Sequence, residues 1–589
     1  MESSILDTGR TGSGTSDTGR TGSGTAATGR PGSSTSQRTG DPLLTRSFRP
    51  ADTAVPLSPH TVGSLLREVA AERPETVALR TVPDDGSAPR TWTYAELLDE
   101  AESIAAGIRE RVGQGARVAL WAPNTPQWPI TEYAAALAGV TLVALNPALR
   151  AEELTHALHT SEAELLIHAD RSRAYDMAEV VRTVAPGLLH LRHVVSLSDW
   201  DSLRGVAPLP SAEQITEAGV PAQIQFTSGT TGAPKAVLLS HRSVVNVARL
   251  TFEGLGVRDG ATVVSPLPMF HTAGCVISCL GPLWSRGTFV LLERFDPKVL
   301  LTELRRSPGA VLTSVPTVLT ALNDVARVCG DAPARLSAVL TGAAPVRPQL
   351  ITETEELFST TVFNLYGQTE LASVVTLTRP DDTAESKTST VGRPLPHVAC
   401  KIVDPDTGEV RPLGVTGEIC ARGYQQLLGY YGDPRATAAK TDAEGWIRTG
   451  DLGSMDATGA LRIEGRLSDL IIRGGENVAP GEIEAFLSTL PGVRDAVVLG
   501  VPDARWGESI AAVLVPAADR PAGPDVDLLV ERCRERLSPY KIPVQWYLAD
   551  DLPLTASGKI QKFRVRELVA ESALRRLDAP DGAAGDHRR

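Results

Sequence analysis

From about Leu57 onward, apolar and polar positions follow two alternating rhythms. "HTVGSLLREVAAERP" places apolar residues at helical spacing and stops at a proline, whereas "TVALRTV" and "ARVALWAP" alternate as strands do. Strand patterns separated by helical ones recur through "VTLVALNP", "AELLIHA", "TVVSPLP" and "GAVLTSVP". That order predicts an α/β fold of layered subdomains with substantial parallel sheet. Near residue 400 the texture changes, because "ACKIVDPDTGEV", "GEICARG" and "GALRIEGRL" read as short antiparallel strands, a small β-barrel-like part. After Arg466 come "DLIIRGG", helical "PGEIEAFLSTL", strands "RDAVVLGVP" and "SIAAVLVP", and helical "VDLLVERCRERL". They suffice for a separate α+β domain of about one hundred residues. The chain is therefore divided into a disordered tail at 1–50, a large domain at 51–467, a small domain at 468–575 and a second disordered tail at 576–589.

A length of 589 residues exceeds what one core organises, which agrees with two domains. With 58 basic and 70 acidic residues the net charge is −12, which argues against a general nucleic-acid binder. No apolar stretch reaches the roughly 18 residues of a membrane helix. The nearest, "YAAALAGVTLVAL", reads as a buried helix followed by a strand, so no membrane insertion is expected. The start, "MESSILDTGRTG", lacks the basic and apolar regions of a secretion signal. The six cysteines show no CxxC pairs and no matching histidine pairs. They read as buried thiols in a reducing compartment, and a cytoplasmic location is expected.

Residues 7–36 are three degenerate copies of a ten-residue unit, beginning "DTGRTGSGTS". "GRTGSGT" is close to a phosphate-binding glycine loop, but threonine stands where that loop needs lysine, and no strand or helix pattern flanks it. A second candidate lies in "PAQIQFTSGTTGAPKAVLLSHRSVVNVARL", which reads as strand, glycine-rich loop, strand and helix. Its loop can turn several backbone N–H groups, the hydroxyls of Thr227, Ser228, Thr230 and Thr231, and the Lys235 ammonium towards an anion. A flexible surface turn has the same composition; the motifs farther along the chain separate the two.

In order come "PLPMFHTAG", "TGAAPV", "NLYGQTE", "GEICARG", "RTGDLG", "GRLSDLIIRGGENVAPGEIE" and "PLTASGKIQK". With these motifs the chain, over residues 57 to 570, resembles the adenylate-forming superfamily of acyl-CoA synthetases and aryl-CoA ligases, most closely medium-chain acyl-CoA synthetases. The resemblance implies ATP-dependent activation of a small-molecule carboxylic acid as acyl-AMP, then transfer to coenzyme A. ATP, Mg²⁺ and CoA are the implied cofactors. Thr227, Ser228, Gly229, Thr230, Thr231, Gly232 and Lys235 are implied to hold the triphosphate, Thr230 also reaching the metal. Asn364, Tyr366, Gly367 and Gln368 are implied at the nucleotide, Tyr366 stacking on adenine. Thr369 is implied to touch the α-phosphate and Glu370 to hold Mg²⁺. Asp451 is implied to accept from the ribose hydroxyls, with Arg466 beside it. Lys559 is the implied catalytic lysine, carried by a small domain that rotates between the two steps.

His271 is the expected gate between acyl pocket and thiol channel, a satisfied core histidine being the alternative. Ala273, Gly274 and Cys275, together with Gly342, Ala343 and Ala344, are expected to line the acyl side. Gly474, Gly475 and Glu476 are expected along the pantetheine, although a turn needing positive φ explains the same glycines. The family's hinge position, commonly Asp or Lys, is Ser468 here, which puts the balance of domain alternation in question. Three other outcomes stay open: transfer to a separate carrier protein, activation of a small oxyanion such as nitrite, and a nucleotide-binding scaffold without turnover. The oligomeric state is also open, with a homodimer as one candidate.

Overall fold

Two sheets with helices packed against them build the large N-terminal domain, and a third sheet links it to the C-terminal one. The computed structural model describes residues 43–205, 217–227, 234–329, 335–473, 476–503, 505–517, 520, 523–554 and 560–577. The N-terminal repeat, Ser228, Gly229, Thr230, Thr231, Gly232, Gly474, Gly475 and Lys559 lie outside the described residues.

The seven-stranded sheet has a parallel run of Pro221–Thr227, Thr141–Leu145, Arg117–Trp121, Leu165–His168 and His193–Ser196. Lys235–Ser240 and Gly429–Tyr430 extend it antiparallel. All five residues of Thr141–Leu145 are buried, as are four of the five in Arg117–Trp121. Alternation is therefore a weak guide here, because helices cover both faces of a parallel sheet and every side chain points into a core. The helix Gln127–Ala138 is predominantly apolar, as a helix enclosed by protein tends to be, and it is buried from Trp128 to Ala138, Thr131 and Glu132 included.

A nine-stranded sheet runs in the order Arg393–Pro394, Thr376–Leu377, Val362–Tyr366, Ala338–Gly342, Val311–Thr313, Thr262–Ser265, Thr288–Leu292, Val77–Val82 and Arg90–Thr93. Its six central strands are parallel and its flanking strands antiparallel. Helix starts follow local capping chemistry. Thr93 Oγ1 accepts from Glu96 N and the Glu96 carboxylate accepts from Thr93 N, and Ser240 forms the equivalent box with Ser243.

The third sheet is antiparallel, in the order Phe48–Arg49, Val398–Val403, Gly417–Gly423, Ile447–Met455 and Leu461–Arg466. It corrects the expected limit of the N-terminal tail. Phe48 and Arg49 pair with Lys401 and Cys400, and the Phe48 ring meets Trp446 edge-on at 6.1 Å, so residues 43–50 are not tail. The C-terminal limit moves likewise, because Arg575–Leu577 pairs with Gln545–Leu548.

The small C-terminal domain has its own sheet, centred on the paired strands Val493–Asp503 and Gly507–Pro516. One face packs Ile483, Leu487, Leu529 and Trp546, and the other Val497, Val513, Val565 and Val569, so it has a core on each side. The Leu467–Asp469 turn leads into it. Ser468 is exposed there and donates to Asp469 Oδ1 at 3.3 Å, while Lys562 Nζ lies 4.0 Å from Asp469 Oδ2. The turn thus carries its charge one residue after the expected hinge position. Elsewhere Arg347 Nη1, on the large domain, donates to Arg494 O of the small one at 2.9 Å.

All six cysteines are free. Five are buried as expected, but Cys329, at the C-terminal end of the helix Pro316–Cys329, is exposed. Among the described residues no helix is long and apolar enough to cross a membrane.

Candidate active site

The strands Ala338–Gly342 and Val362–Tyr366 run side by side and end together, with Gly342 opposite Leu365. Backbone groups leaving the carboxyl ends of parallel strands border a crevice where α/β proteins bind ligands. Gly342 has φ of 149°, and a Cβ there would meet Leu365 O at 2.4 Å. At Gly367 a Cβ would meet Ser373 O at 1.8 Å. Both glycines let neighbouring chains approach more closely than a side chain allows. Ala343 follows at φ 61°, a left-handed conformation costing a non-glycine residue about 1 kcal/mol. Strain of this kind is retained where the surroundings fix it, as at ligand-binding loops.

From Tyr366 the chain turns through Gly367 and Gln368 into a short 3₁₀ turn, Thr369–Leu371. The Tyr366 hydroxyl, on a buried side chain, donates to Asp451 Oδ2 at 2.6 Å. Arg466 Nε meets Asp451 Oδ1 at 3.0 Å, and the two residues are register partners on adjacent strands. Burial, reinforced by the Asp451 charge, holds the phenol well above its ordinary pKa, so Tyr366 remains a donor. Asn364 turns the other way, donating from Nδ2 to Thr390 O at 3.2 Å.

Glu370 is held by two bonds, one to its side chain and one to its backbone. Its Oε1 accepts from the Tyr430 hydroxyl at 2.9 Å, and its carbonyl accepts from Leu427 N at 2.9 Å. The Tyr430 ring lies 5.1 Å from Lys235 Nζ. Thr227 and Lys235 are opposite each other where their two strands end, on either side of the expected triphosphate loop. Tyr430 therefore connects the base of that loop to Glu370. Sequence patterning does not single it out, although "GYYGDP" offers an aromatic signal in a polar turn. Two further groups converge on one carbonyl: Lys440 Nζ donates to Thr449 O at 3.1 Å, and Gln368 Nε2 approaches it at 3.5 Å.

His271 is placed by the loop before it. Asn124 donates to Leu267 O and Leu292 O at 3.0 and 3.1 Å and accepts from Met269 N at 2.8 Å. His271 is half-buried, its Nδ1 accepts from Ala273 N at 3.2 Å, and a π-helical segment, Ala273–Leu280, begins two residues after it. That acceptor role assigns the ring proton to Nε2. Cys275, one turn on, receives a hydrogen bond from Gln225 of the strand that leads to Thr227, at 3.3 Å. Gln225 also donates to Gln223, which donates to the buried Glu132 at 2.5 Å. Glu476 is exposed at the start of the Glu476–Val478 strand, which pairs with Ile471–Arg473.

The structure thus gathers Lys235, Tyr366, Gln368, Glu370, Asp451 and Arg466 into one hydrogen-bonded and electrostatic neighbourhood, and the adjacent strand ends at Gly342, with Ala343 and Ala344 just beyond it. Comparison with known proteins gives the family. The AMP-binding enzyme family matches residues 66–431, and the AMP-binding enzyme C-terminal domain matches 482–559. The medium-chain acyl-CoA ligase of Homo sapiens mitochondria is 32% identical, over 87% of this chain and 88% of that protein. Among solved structures, ATP-bound MatB from Rhodopseudomonas palustris matches with a TM-score of 0.77 at 27% identity, over 87% of this chain and all of that one. The Mycobacterium tuberculosis fatty acyl CoA synthetase matches with a TM-score of 0.69 at 29% identity, over 87% and 99%.

The chain belongs to the AMP-binding enzyme family. Within it, the chain is an AMP-forming acid–thiol ligase, which activates an acid with ATP and joins it to coenzyme A.

Proposed function

We propose that the acid is a medium-chain fatty or aryl carboxylate, that Mg²⁺ accompanies ATP, and that the residues gathered around Asp451 and Glu370 form the nucleotide site. The observation that carries the site is Asp451. A carboxylate offers about four lone-pair positions, of which Tyr366 and Arg466 use two. The remaining pair suits the two hydroxyls of a ribose. Tyr366, fixed through its hydroxyl, offers a ring face to adenine.

Glu370 supplies the hard oxygen that Mg²⁺ prefers, and Tyr430 engages only one of its two carboxylate oxygens. Among the described residues no group of three or more His, Cys, Asp and Glu side chains could form a metal cage. The fit is therefore the mode in which Mg²⁺ takes one carboxylate plus phosphate oxygens, with Glu370 and Thr230 as the protein donors. When bound, the ion would neutralise phosphate charge. Lys235 and the loop hydroxyls orient the phosphates, Thr369 donates to the α-phosphate, and Lys559 offsets charge as carboxylate and phosphate meet. Ala273, Ala343 and Ala344 are placed on the acyl side, with His271 as its wall on the thiol side, whereas Gly274 and Gly342 are closed off by neighbouring backbone and Cys275 is buried against Gln225. The names of the human and mycobacterial relatives support a fatty acid, and the free cysteines agree with a reducing compartment such as the cytoplasm.

Acid-dependent exchange of labelled pyrophosphate into ATP, across butyrate to palmitate and benzoate, is the direct test. We expect the highest rates at medium chain length or with the aryl acid, and exchange with none of these acids sinks the assignment. Mass spectrometry of the CoA product then identifies which acid has been joined to the thiol. For the nucleotide site, Asp451→Ala is expected to raise the ATP Kd about a hundredfold. Hydrogen bonds to a charged acceptor contribute about 1.5 kcal/mol or more each, and two are lost. An unchanged Kd by calorimetry removes Asp451 from the ribose.

A further inference from the structure

Lys440 ends the short helix Pro434–Lys440 and is half-buried against the strand Ile447–Met455. Its ammonium makes one hydrogen bond to the described residues, to Thr449 O, and so keeps two of its three donors. The acids around it make their hydrogen bonds and ion pairs with other partners. Glu418 takes Arg448 Nε at 2.7 Å and Gly450 N at 3.0 Å, Asp451 takes Tyr366 and Arg466, and Glu370 takes Tyr430. Among the described residues, Lys440 is thus a partly desolvated cation docked on a neutral carbonyl.

A lysine in that position is costly unless an anion completes its surroundings. Burial lowers its pKa from the ordinary lysine value, the charges of Glu370, Asp451 and Glu418 oppose that shift, and Arg466 adds to it. Lys440 also shares Thr449 O with Gln368, which lies two residues beyond Tyr366 and two before Glu370. Its ammonium consequently stands between the proposed ribose end and the proposed phosphate end of the site.

We propose that Lys440 is a phosphate-binding residue of the nucleotide site: docked on Thr449 O, it directs its remaining donors at the phosphate chain of ATP. The proposal rests on the nucleotide site around Asp451 and Glu370. It adds a cation that belongs to the large domain, so that the phosphate of the acyl-adenylate stays neutralised when the small domain and Lys559 move for thiol attack. A purely structural lysine would anchor Thr449 and do nothing else.

The test compares ligands that differ only in phosphate. Kd values for ATP, AMP and adenosine are measured by calorimetry on the full chain and on Lys440→Met, Lys440→Gln and Lys440→Arg. Lys440→Met and Lys440→Gln are expected to weaken ATP about tenfold and AMP severalfold while leaving adenosine unchanged. Arginine, longer and forked, is expected to recover most of the ATP affinity. Equal weakening of ATP and adenosine, or no weakening of either, overturns the proposal. Wild-type protein that binds no ATP overturns the nucleotide site itself. The thermal unfolding midpoint identifies a variant that fails to fold, in which case the remaining variants give the same ratio.

Discussion

Replacing Lys559 by alanine is expected to lower acid-dependent pyrophosphate exchange about a thousandfold while ATP still binds. Adenylation drives a carboxylate against a phosphate that already carries negative charge. Two unit charges about 4 Å apart repel by about 4 kcal/mol at an effective dielectric near 20, which corresponds to about three orders of magnitude in rate. A compact ammonium between them removes that barrier at the moment it arises, which is where electrostatic catalysis acts most strongly. Lys559 closes the stretch matched by the family's C-terminal domain, whereas Tyr366, Glu370, Asp451 and Arg466 belong to the large domain. The variant should therefore keep its ATP Kd. Arginine should rescue poorly, because its planar fork cannot replace a point charge at a crowded centre. Exchange within a few-fold of wild type would withdraw Lys559 from catalysis.

The second large effect concerns stability. Glu132 lies inside the buried helix Gln127–Ala138, and burial pushes its carboxyl up to about 8 despite the hydrogen bond from Gln223. A folded-state pKa raised above the unfolded value means that the native protein holds this proton more tightly. The associated stability is fully present below about pH 4.5 and is lost as pH rises through about 8. The difference between about 4.5 and about 8 is worth about 5 kcal/mol. Glu132→Gln keeps the shape and removes the titration. Its unfolding midpoint is expected to lie close to wild type at pH 5.5 and clearly above it at pH 8.5, by differential scanning fluorimetry. Parallel profiles for the two proteins would show that Glu132 does not titrate in this range.

Element order and the two-domain division of the fold are legible in the chain because hydrophobic period and turn residues are local. The helix at "HTVGSLLREVAAE", the strand ending at Thr227, and the strand and helix that begin at Lys235 and His241 are where the pattern places them. The motifs proposed to meet the nucleotide are each compact in sequence, which is why a linear reading finds them. Contact across long separations is not legible in this way. Tyr430 reaches Glu370 across 60 positions, and Lys440 acquires meaning only when Thr449 folds back beneath it. The Phe48–Arg49 strand escapes because two residues carry no period, and its stability comes from Trp446 and a distant sheet edge. Cys329 reads as buried by residue type and is exposed, because burial at a helix end depends on what packs there.

The bond from Arg347 to the small domain ends on a main-chain carbonyl, that of Arg494. Every amino acid supplies that acceptor, so evolution can rewrite position 494 without erasing the contact, while its control is concentrated in one guanidinium at 347. That one bond between the two domains is accordingly inherited through one partner only. Drift across the small domain's surface can retune other properties and leave this attachment intact.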